Sequence, residues 1–297
     1  MSMNIRLVDK NNHSNQNYFF KKTKKKFSIL NRKRTFLEKN KKYFQPIKIG
    51  KFEIKIAEFK HEIKRAQSLR YSVFYEEKKA KPKFSQKVLK LDYDDHDNTA
   101  DHLIIIDKNK DINNVIGTYR LLRGCLAKIQ KGFYSEREFD LSNLKRIFSS
   151  QSILELGRSC VHSDYRSGLI LKLLWKGIAQ YINLYEIKVL IGCASFNGIN
   201  VNKILAELIY LKMNHSLPSK LKIKSTQIND TLFLDKKNNF CSQDIFNKLP
   251  PLIKGYLRLG GMVSSDYYID YRFNTIDVCV LILTENIVTK YKKKFLH

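Results

Sequence analysis

Residues Ser152–Tyr185 read SILELGRSCVHSDYRSGLILKLLWKGIAQYINLY. The first part, Ile153 to Val161, predicts a strand, interrupted by Glu155 and Arg158 three positions apart. Strand side chains alternate between faces, so residues three apart point to opposite sides unless a bulge intervenes. Gly157 offers a place for such a bulge, because an isolated glycine inside a strand pattern often marks one. The turn Ser163–Gly168 follows. Leu169, Leu173, Leu174, Ile178 and Tyr181 then recur at helical spacing, with Lys172 and Lys176 between them. The stretch therefore predicts a strand, a turn and an amphipathic helix. Backbone amides at the start of such a helix make a phosphate site.

Composition sets the wider bounds. A chain of 297 residues that is 43% hydrophobic can bury a sizeable core, as one large domain or two small ones. No apolar run approaches the ~20 residues of a spanning helix. The polar, lysine-rich start predicts no signal peptide. Five cysteines (125, 160, 193, 241 and 279) are widely spaced with no CxxC pair, and read as small apolar residues in a reduced cytoplasm. The formal net charge of +27 implies an acidic partner: nucleic acid, an anionic membrane or an acidic protein.

Much of that charge lies at the start. Residues 1–48 hold 14 Lys/Arg against two acids, Asp9 and Glu38, with aromatics interleaved. This predicts a basic, flexible extension ahead of a domain spanning residues 49–297. Two readings of the extension stand side by side: attachment to an anionic leaflet, at roughly 1 kcal/mol per Lys/Arg, or a solvated tail. Nucleic-acid binding is the third, and no recognised motif accompanies the charge.

Along the domain, Phe52, Ile54 and Ile56 alternate as a strand, and Glu62–Lys79 has helical spacing with Ile63, Ala66, Leu69, Val73 and Phe74 inward. By position alone Arg70 is a surface residue of that helix. An acidic island follows, Asp92, Asp94, Asp95 and Asp97, then Asp101-His102. The missing glycine and Leu103 at the place of the bidentate Glu argue against a calcium loop. His96 and His102 lack a characteristic zinc spacing. The island reads as a carboxylate-lined pocket edge or as aspartates that cap turns. His102–Asp107 and Val115–Leu122 predict a hairpin, Lys188–Phe196 a buried strand, Leu249–Gly261 a helix begun by proline, and Tyr267–Leu283 the last strands.

The strand–turn–helix layout is similar to the acyl-donor site of the GNAT acyltransferases, whose signature is Arg/Gln-x-x-Gly-x-Gly/Ala. Arg166-Ser167-Gly168-Leu169-Ile170 matches it in part, with Arg two before Gly and the second small residue missing. Further segments carry a closer resemblance: Leu69–Phe74; the Asp92–Asp101 island; Gly117–Leu122; Phe133–Glu136 with Glu138-Phe139-Asp140; and Glu155–His162. In this order they resemble the bacterial ornithine N-acyltransferases, over about residues 51–290. More distantly the chain looks like the acyl-homoserine-lactone synthases.

The resemblance implies an α/β GNAT-like fold, a mixed, mostly antiparallel sheet flanked by helices. It implies transfer of a 3-hydroxyacyl group from acyl-carrier protein to the α-amine of L-ornithine, giving lyso-ornithine lipid. The functional residues of the acyl-homoserine-lactone synthases correspond here to Arg70, Phe74, Asp94, Asp97, Arg120, Glu155 and Arg158. Glu155 is then the candidate base, directly or through a water, with Arg158 beside it. Asp94 and Asp97 are candidates for the second ammonium, and Arg120 or Arg158 for the carboxylate. Arg166 and the amides near Gly168 would hold the donor's single phosphodiester. The resemblance implies no metal and no resident cofactor, since the carrier protein brings its own phosphopantetheine. Expected partners are the acidic carrier protein, L-ornithine and an anionic membrane surface on the cytoplasmic side, without nucleic acid. An acyltransferase for another amine is the alternative within enzymes. A non-catalytic basic module binding membrane or nucleic acid is the alternative outside them, but such a surface has no use for acids lining a pocket.

Overall fold

The computed structural model describes residues 42–110, 115–130, 132–228 and 242–287. Most of the basic extension, residues 111–114 of the hairpin turn, Cys241 and the Lys290–Lys294 tail lie outside the described residues. The described residues from Phe44 onward form one compact unit.

Its frame is an eight-stranded sheet. The strands are β1 Ile47–Ile49, β2 Phe52–Ile56, β3 Asp101–Asp107, β4 Val115–Arg123, β6 Ile153–Val161, β7 Val189–Asn197, β9 Met262–Asp270 and β10 Thr275–Leu283. The spatial order is β1-β2-β3-β4-β6-β7-β10-β9. A separate two-stranded ribbon pairs β5, Phe139–Asp140, with β8, Lys224–Ser225. Ile47 and Lys48, which the sequence reading assigned to the extension, pair in β1. All neighbouring pairs of the large sheet are antiparallel except β6 with β7. That parallel pair needs a crossover, supplied by the helix Leu169–Tyr185.

Four helices of eight residues or more occur among the described residues: α1 Lys60–Tyr71, α2 Leu169–Tyr185, α3 Leu205–Asn214 and α4 Pro251–Arg258. The predicted helix over Glu62–Lys79 is α1 followed by a π-helical turn, Ser72–Glu77. Short π segments recur at functional sites. The apolar stripe of α2 is Ile170, Leu173, Leu174, Ile178, Tyr181 and Ile182, all buried. Leu169, expected in that stripe, is 47% exposed because it sits in the first turn beyond the sheet. Gly177 lets α2 lie against the sheet: a Cβ there would stand 2.8 Å from Ile54 Cγ2.

The two faces of the sheet differ in chemistry. Leu103, Ile105, Leu121, Leu154, Leu156, Leu190, Ala194, Ile276, Val278 and Val280 share one large apolar cluster with α2, α3 and α4. Strand residues of the other parity form the opposite face. There Ala66 and Leu69 of α1 and Val73 of the π-helical turn pack against Ile104, Val115 and Cys160. Register then sets His102 beside Arg120, Leu122 beside Glu155, and Ser195 beside Asp277 on this second face. Over the central strands it is polar, and the candidate site lies here.

Candidate active site

The parallel pairing of β6 with β7 covers only Ile153–Glu155 against Val189–Ile191. Beyond Glu155, β6 pairs with β4 but not with β7. The two strands part, and a cleft of about 440 Å³ opens between them. Phe74, Tyr134, Glu155, Arg158, Cys193 and Ser195 line it, together with Arg166 and Gly168 from the turn before α2. Backbone groups on the freed edge of β6 are thereby open to a ligand.

The register of β4 against β6 slips between Thr118/Cys160 and Arg120/Gly157. The bulge foreseen at Gly157 exists, but its left-handed residue is Arg158, with φ 52°. A non-glycine residue in that region costs ~1–2 kcal/mol. The bulge brings Glu155 and Arg158 to the same cleft despite their spacing of three.

Bonds made by Arg158 hold the conformation. Its Nε donates to Asp92 Oδ2 at 3.1 Å and its Nη2 to Asp94 Oδ2 at 3.0 Å. Arg70 Nε donates to Asp92 Oδ2 at 2.8 Å, and its two Nη atoms fork onto Asp97 at 3.0 and 2.7 Å. A further bond runs from Arg70 Nη2 to the Asp92 carbonyl. Arg120 Nη1 donates to Asp94 Oδ1 at 2.7 Å and Asp97 Oδ1 at 3.2 Å. Three guanidiniums and three carboxylates thus balance inside the protein. Burial alone raises each aspartate pKa. Arg158 and Arg70 at Asp92, Arg120 at Asp94 and Arg70 at Asp97 outweigh it, holding all three below the usual carboxylate range.

This network corrects several assignments. Arg70, which position alone made a surface residue, is fully buried. Arg70, Asp94, Asp97 and Arg120 do not line the cleft, and their charged groups face one another. Asp94 and Asp97 therefore present no free carboxylates to a substrate ammonium. Of the two arginines considered for a carboxylate, only Arg158 reaches the cleft. The Tyr134 ring lies 4.5 Å from Arg158 Cζ, and Phe273 lies 4.8 Å from it. Phe74 meets Phe273 edge-on at 6.0 Å.

Glu155 is buried at the cleft wall. Its Oε2 accepts the Tyr134 amide at 2.9 Å; its Oε1 accepts the Ser135 amide at 2.7 Å and the Ser135 hydroxyl at 2.5 Å. Three of about four lone-pair sites on a carboxylate are thereby taken. The side chain anchors the Tyr134–Ser135 turn over the cleft. Arg166 Nη2 donates to Glu77 Oε2 at 2.6 Å and its Nε to the Val161 carbonyl at 3.0 Å. Gly168 caps α2 at φ 86°, and no side chain occupies that helix start.

His96 Nε2 lies 3.3 Å from the Gly132 carbonyl, and His102 Nε2 lies 3.1 Å from the Asp97 carbonyl. Among the described residues the cluster with metal-ligand spacing is instead Glu138, Asp270 and Asp277. All three line the cleft, and the sequence reading gave none of them a role. One signal was present: Asp277 interrupts the otherwise apolar run Ile276–Leu283.

An open parallel strand pair, a bulged arginine and an uncapped helix start fit an acyltransferase of the GNAT class. The family model described as Acetyltransferase (GNAT) domain matches residues 69–176. The chain is 37% identical over 245 residues to an L-ornithine N(alpha)-acyltransferase of Rhodobacter capsulatus, covering 82% of this chain and 93% of that protein. It is 36% identical to one of Agrobacterium fabrum, covering 82% and 85%. Among solved structures it is similar to FeeM, an N-acyl amino acid synthase from uncultured soil microbes, at 9% identity and TM-score 0.44, covering 84% of this chain and all of that one. The chain belongs to the L-ornithine N(alpha)-acyltransferase family. No described helix is long and apolar enough to cross a membrane.

Proposed function

We propose that this protein transfers a 3-hydroxyacyl group from acyl-carrier protein to the α-amine of L-ornithine, giving lyso-ornithine lipid. Family membership supports the acceptor. The observation that carries the reading of the site is the parting of β6 from β7, which leaves one edge of β6 without a strand partner beside Arg158. An extended phosphopantetheine arm fits such an edge, its amides bonding where a strand would. The donor carries its own prosthetic arm, so no resident cofactor is required.

The uncapped start of α2 supports a phosphate there, and Arg166 stands beside it. A carrier protein presents one phosphodiester, for which this thin site suffices. The deprotonated α-amine attacks the thioester carbonyl. The N–C bond forms, the C–S bond breaks, and the amine proton passes to the departing thiolate. Amides on the open edge of β6 stabilise the oxyanion. Arg158 is the candidate for the amino-acid carboxylate. Glu155 acts by fixing Tyr134 and Ser135, and its remaining lone pair can take the amine proton through a water. The buried Arg–Asp network keeps the bulge in place.

The acidic carrier protein and an anionic membrane are the partners that the basic composition favours, at the cytoplasmic face where the product enters the bilayer. Residues 1–46, ahead of β1, supply much of that charge.

The test is reconstitution. Purified protein, 3-hydroxyacyl carrier protein and L-ornithine are combined, and mass spectrometry follows N-acylornithine. Product from the carrier-protein donor but not from acyl-coenzyme A supports the reading; no product with ornithine overturns it.

A further inference from the structure

Glu138 stands just ahead of β5, Asp270 ends β9 and Asp277 lies within β10, yet their carboxylates converge, with ligand atoms all within 4.8 Å of one another. Glu138 and Asp277 are 3% and 4% exposed, and all three residues line the cleft. Asp270 is fixed by the amides of Arg272 and Phe273, which donate to its Oδ1 at 2.7 and 2.9 Å. Glu138 Oε2 and Asp277 Oδ1 have no hydrogen-bond partner. The aspartates of the Arg70–Arg120–Arg158 network are neutralised by guanidiniums. No lysine or arginine among the described residues forms a salt bridge with Glu138, Asp270 or Asp277.

Converging buried carboxylates repel one another, and either a proton held on one of them or a cation placed between them relieves the repulsion. Buried acceptors without partners carry a large desolvation penalty. Both costs are relieved by one donor-rich cation entering from the cleft. An ammonium has three donors and no acceptor, and so matches three carboxylates.

We propose that Glu138, Asp270 and Asp277 form the subsite for the side-chain ammonium of the amino-acid acceptor and set the preference for a dibasic over a neutral amino acid. The inference rests on the acyl-transfer reading and deepens it. The choice between the acceptor's two amines follows from chemistry. The attacking α-amine must lose its proton, and a nest of carboxylates holds an amine in its protonated form. The nest therefore suits the amine that does not react. Arg158, in the same cleft, is left to the carboxylate of the same molecule.

The experiment compares L-ornithine with L-norvaline, which has the same carbon chain without the terminal ammonium. Steady-state KM values for each acceptor and for the acyl donor are measured on wild type, Asp277→Asn and Glu138→Gln. Calorimetric titration of each amino acid accompanies them. The expected result is a roughly 10- to 100-fold rise in the ornithine KM and Kd of each variant, as for loss of a charged hydrogen bond. Norvaline and donor constants should stay within about twofold of wild type on the same reasoning. Equal losses for ornithine and norvaline, or no loss for ornithine, overturn the proposal. So does loss of activity with a chelator that a divalent metal restores, since the cluster would then hold a metal. The two variants are nearly isosteric, and unchanged circular dichroism separates binding from folding. Wild type that binds ornithine over norvaline through these residues, yet acylates neither, upholds the subsite and overturns the acyl-transfer reading. Rapid acylation of ornithine by both variants with unchanged KM does the reverse.

Discussion

Gly192 on β7 faces Leu156 on β6 so closely that a Cβ on the glycine would lie 2.4 Å from the Leu156 carbonyl oxygen. This contact comes one residue after the last parallel pair, Glu155 with Ile191, where the strands part. The obstacle is backbone, which cannot swing aside as a side chain can. Gly192→Ala should therefore force the strands apart, at a cost of roughly 1–3 kcal/mol. Urea unfolding checks the stability, and donor KM should rise with the displaced edge. Wild-type stability and donor KM in the alanine variant would show that the strands tolerate a wider split.

Glu155→Gln is the second case. The two amides and the hydroxyl aimed at its carboxylate need acceptors. Glutamine offers one oxygen and turns an NH2 toward donors. Loss of satisfied buried bonds costs about 1–3 kcal/mol, more where a charge is involved. The variant should lose most turnover and also melt several degrees earlier, at roughly 2–4 °C per kcal/mol for a chain of this size. Unaltered melting would place Glu155 in chemistry alone.

Arg70→Ala and Arg158→Ala both break the buried charge network, but only Arg158 lines the cleft. Removing one partner of a buried ion pair costs about 3–5 kcal/mol. Both variants should be strongly destabilised. Ornithine KM should rise further for Arg158→Ala than for Arg70→Lys, which retains a charge. The acid limb follows from the same bonds. Asp92, Asp94 and Asp97 have lowered pKa values in the fold, so their contribution is full above the ordinary carboxylate pKa and is lost as pH falls. Acid denaturation below about pH 4 should be steep in wild type and shallower in either alanine variant. Equal acid slopes would place the network's charges outside the stability balance.

How much of this was legible in the sequence divides along physical lines. The strand–turn–helix at Ser152–Tyr185 follows periodicity, and the structure shows it as β6 and α2. A bulge between Glu155 and Arg158 was readable because a strand's period of two forbids both reaching one face without it. That Arg158 itself takes the left-handed conformation was not readable. It depends on Asp92 and Asp94, more than sixty residues away. Likewise, the number of aspartates in the island is visible in sequence, but whether they face a ligand or an arginine is decided by α1 and β4 packing over them. Glu138, Asp270 and Asp277 come from segments with no local signature, and only Asp277, inside an apolar strand, stood out.

Asp277 also yields a pH prediction of opposite sign. Burial and then the nearby Asp270 push it up to about 6, while burial and then the charge of Asp277 push Glu138 well above its usual value. Facing them are Asp270, Cys193, Ser195, Thr275, Tyr268 and, at longer range, Arg158. An acid whose pKa is raised on folding stabilises below its unfolded pKa, and that contribution is lost as pH rises through the folded value. Stability of the unliganded protein should fall between about pH 4 and pH 7, by on the order of 1–3 kcal/mol from Asp277. Asp277→Asn should flatten that limb and melt higher than wild type at pH 8. Ornithine should restore wild-type stability there and have little effect on the variant. A parallel pH limb in both proteins would mean that Asp277 does not ionise in this range.

The last prediction concerns the charge of the whole chain. On the proposed function the product is an acylated amino acid that enters a bilayer, and no described helix can span one. Residues 1–48 carry 14 Lys/Arg with Tyr18, Phe19, Phe20, Phe27, Phe36, Tyr43 and Phe44 among them. Each cation near an anionic leaflet gains roughly 1 kcal/mol, so the sum is large even if only some of them reach the surface. It is also screened, because the Debye length shrinks from ~10 Å at 0.1 M salt to ~3 Å at 1 M. Aromatic insertion is not screened in this way. Full-length protein should co-sediment with anionic vesicles, weakly with neutral ones, and keep a residual salt-resistant fraction. Deleting residues 1–41 leaves Phe44 and β1 in place and should remove most of the anionic-lipid binding. The lysines at 290 and 292–294 should account for a smaller remainder. Carrier-protein affinity, measured on the same deletion, separates the two acidic partners. If lipid binding falls and donor KM holds, the extension serves the membrane. If donor KM rises and lipid binding is unchanged, the extension serves the carrier protein, and membrane attachment must reside in the acyltransferase domain.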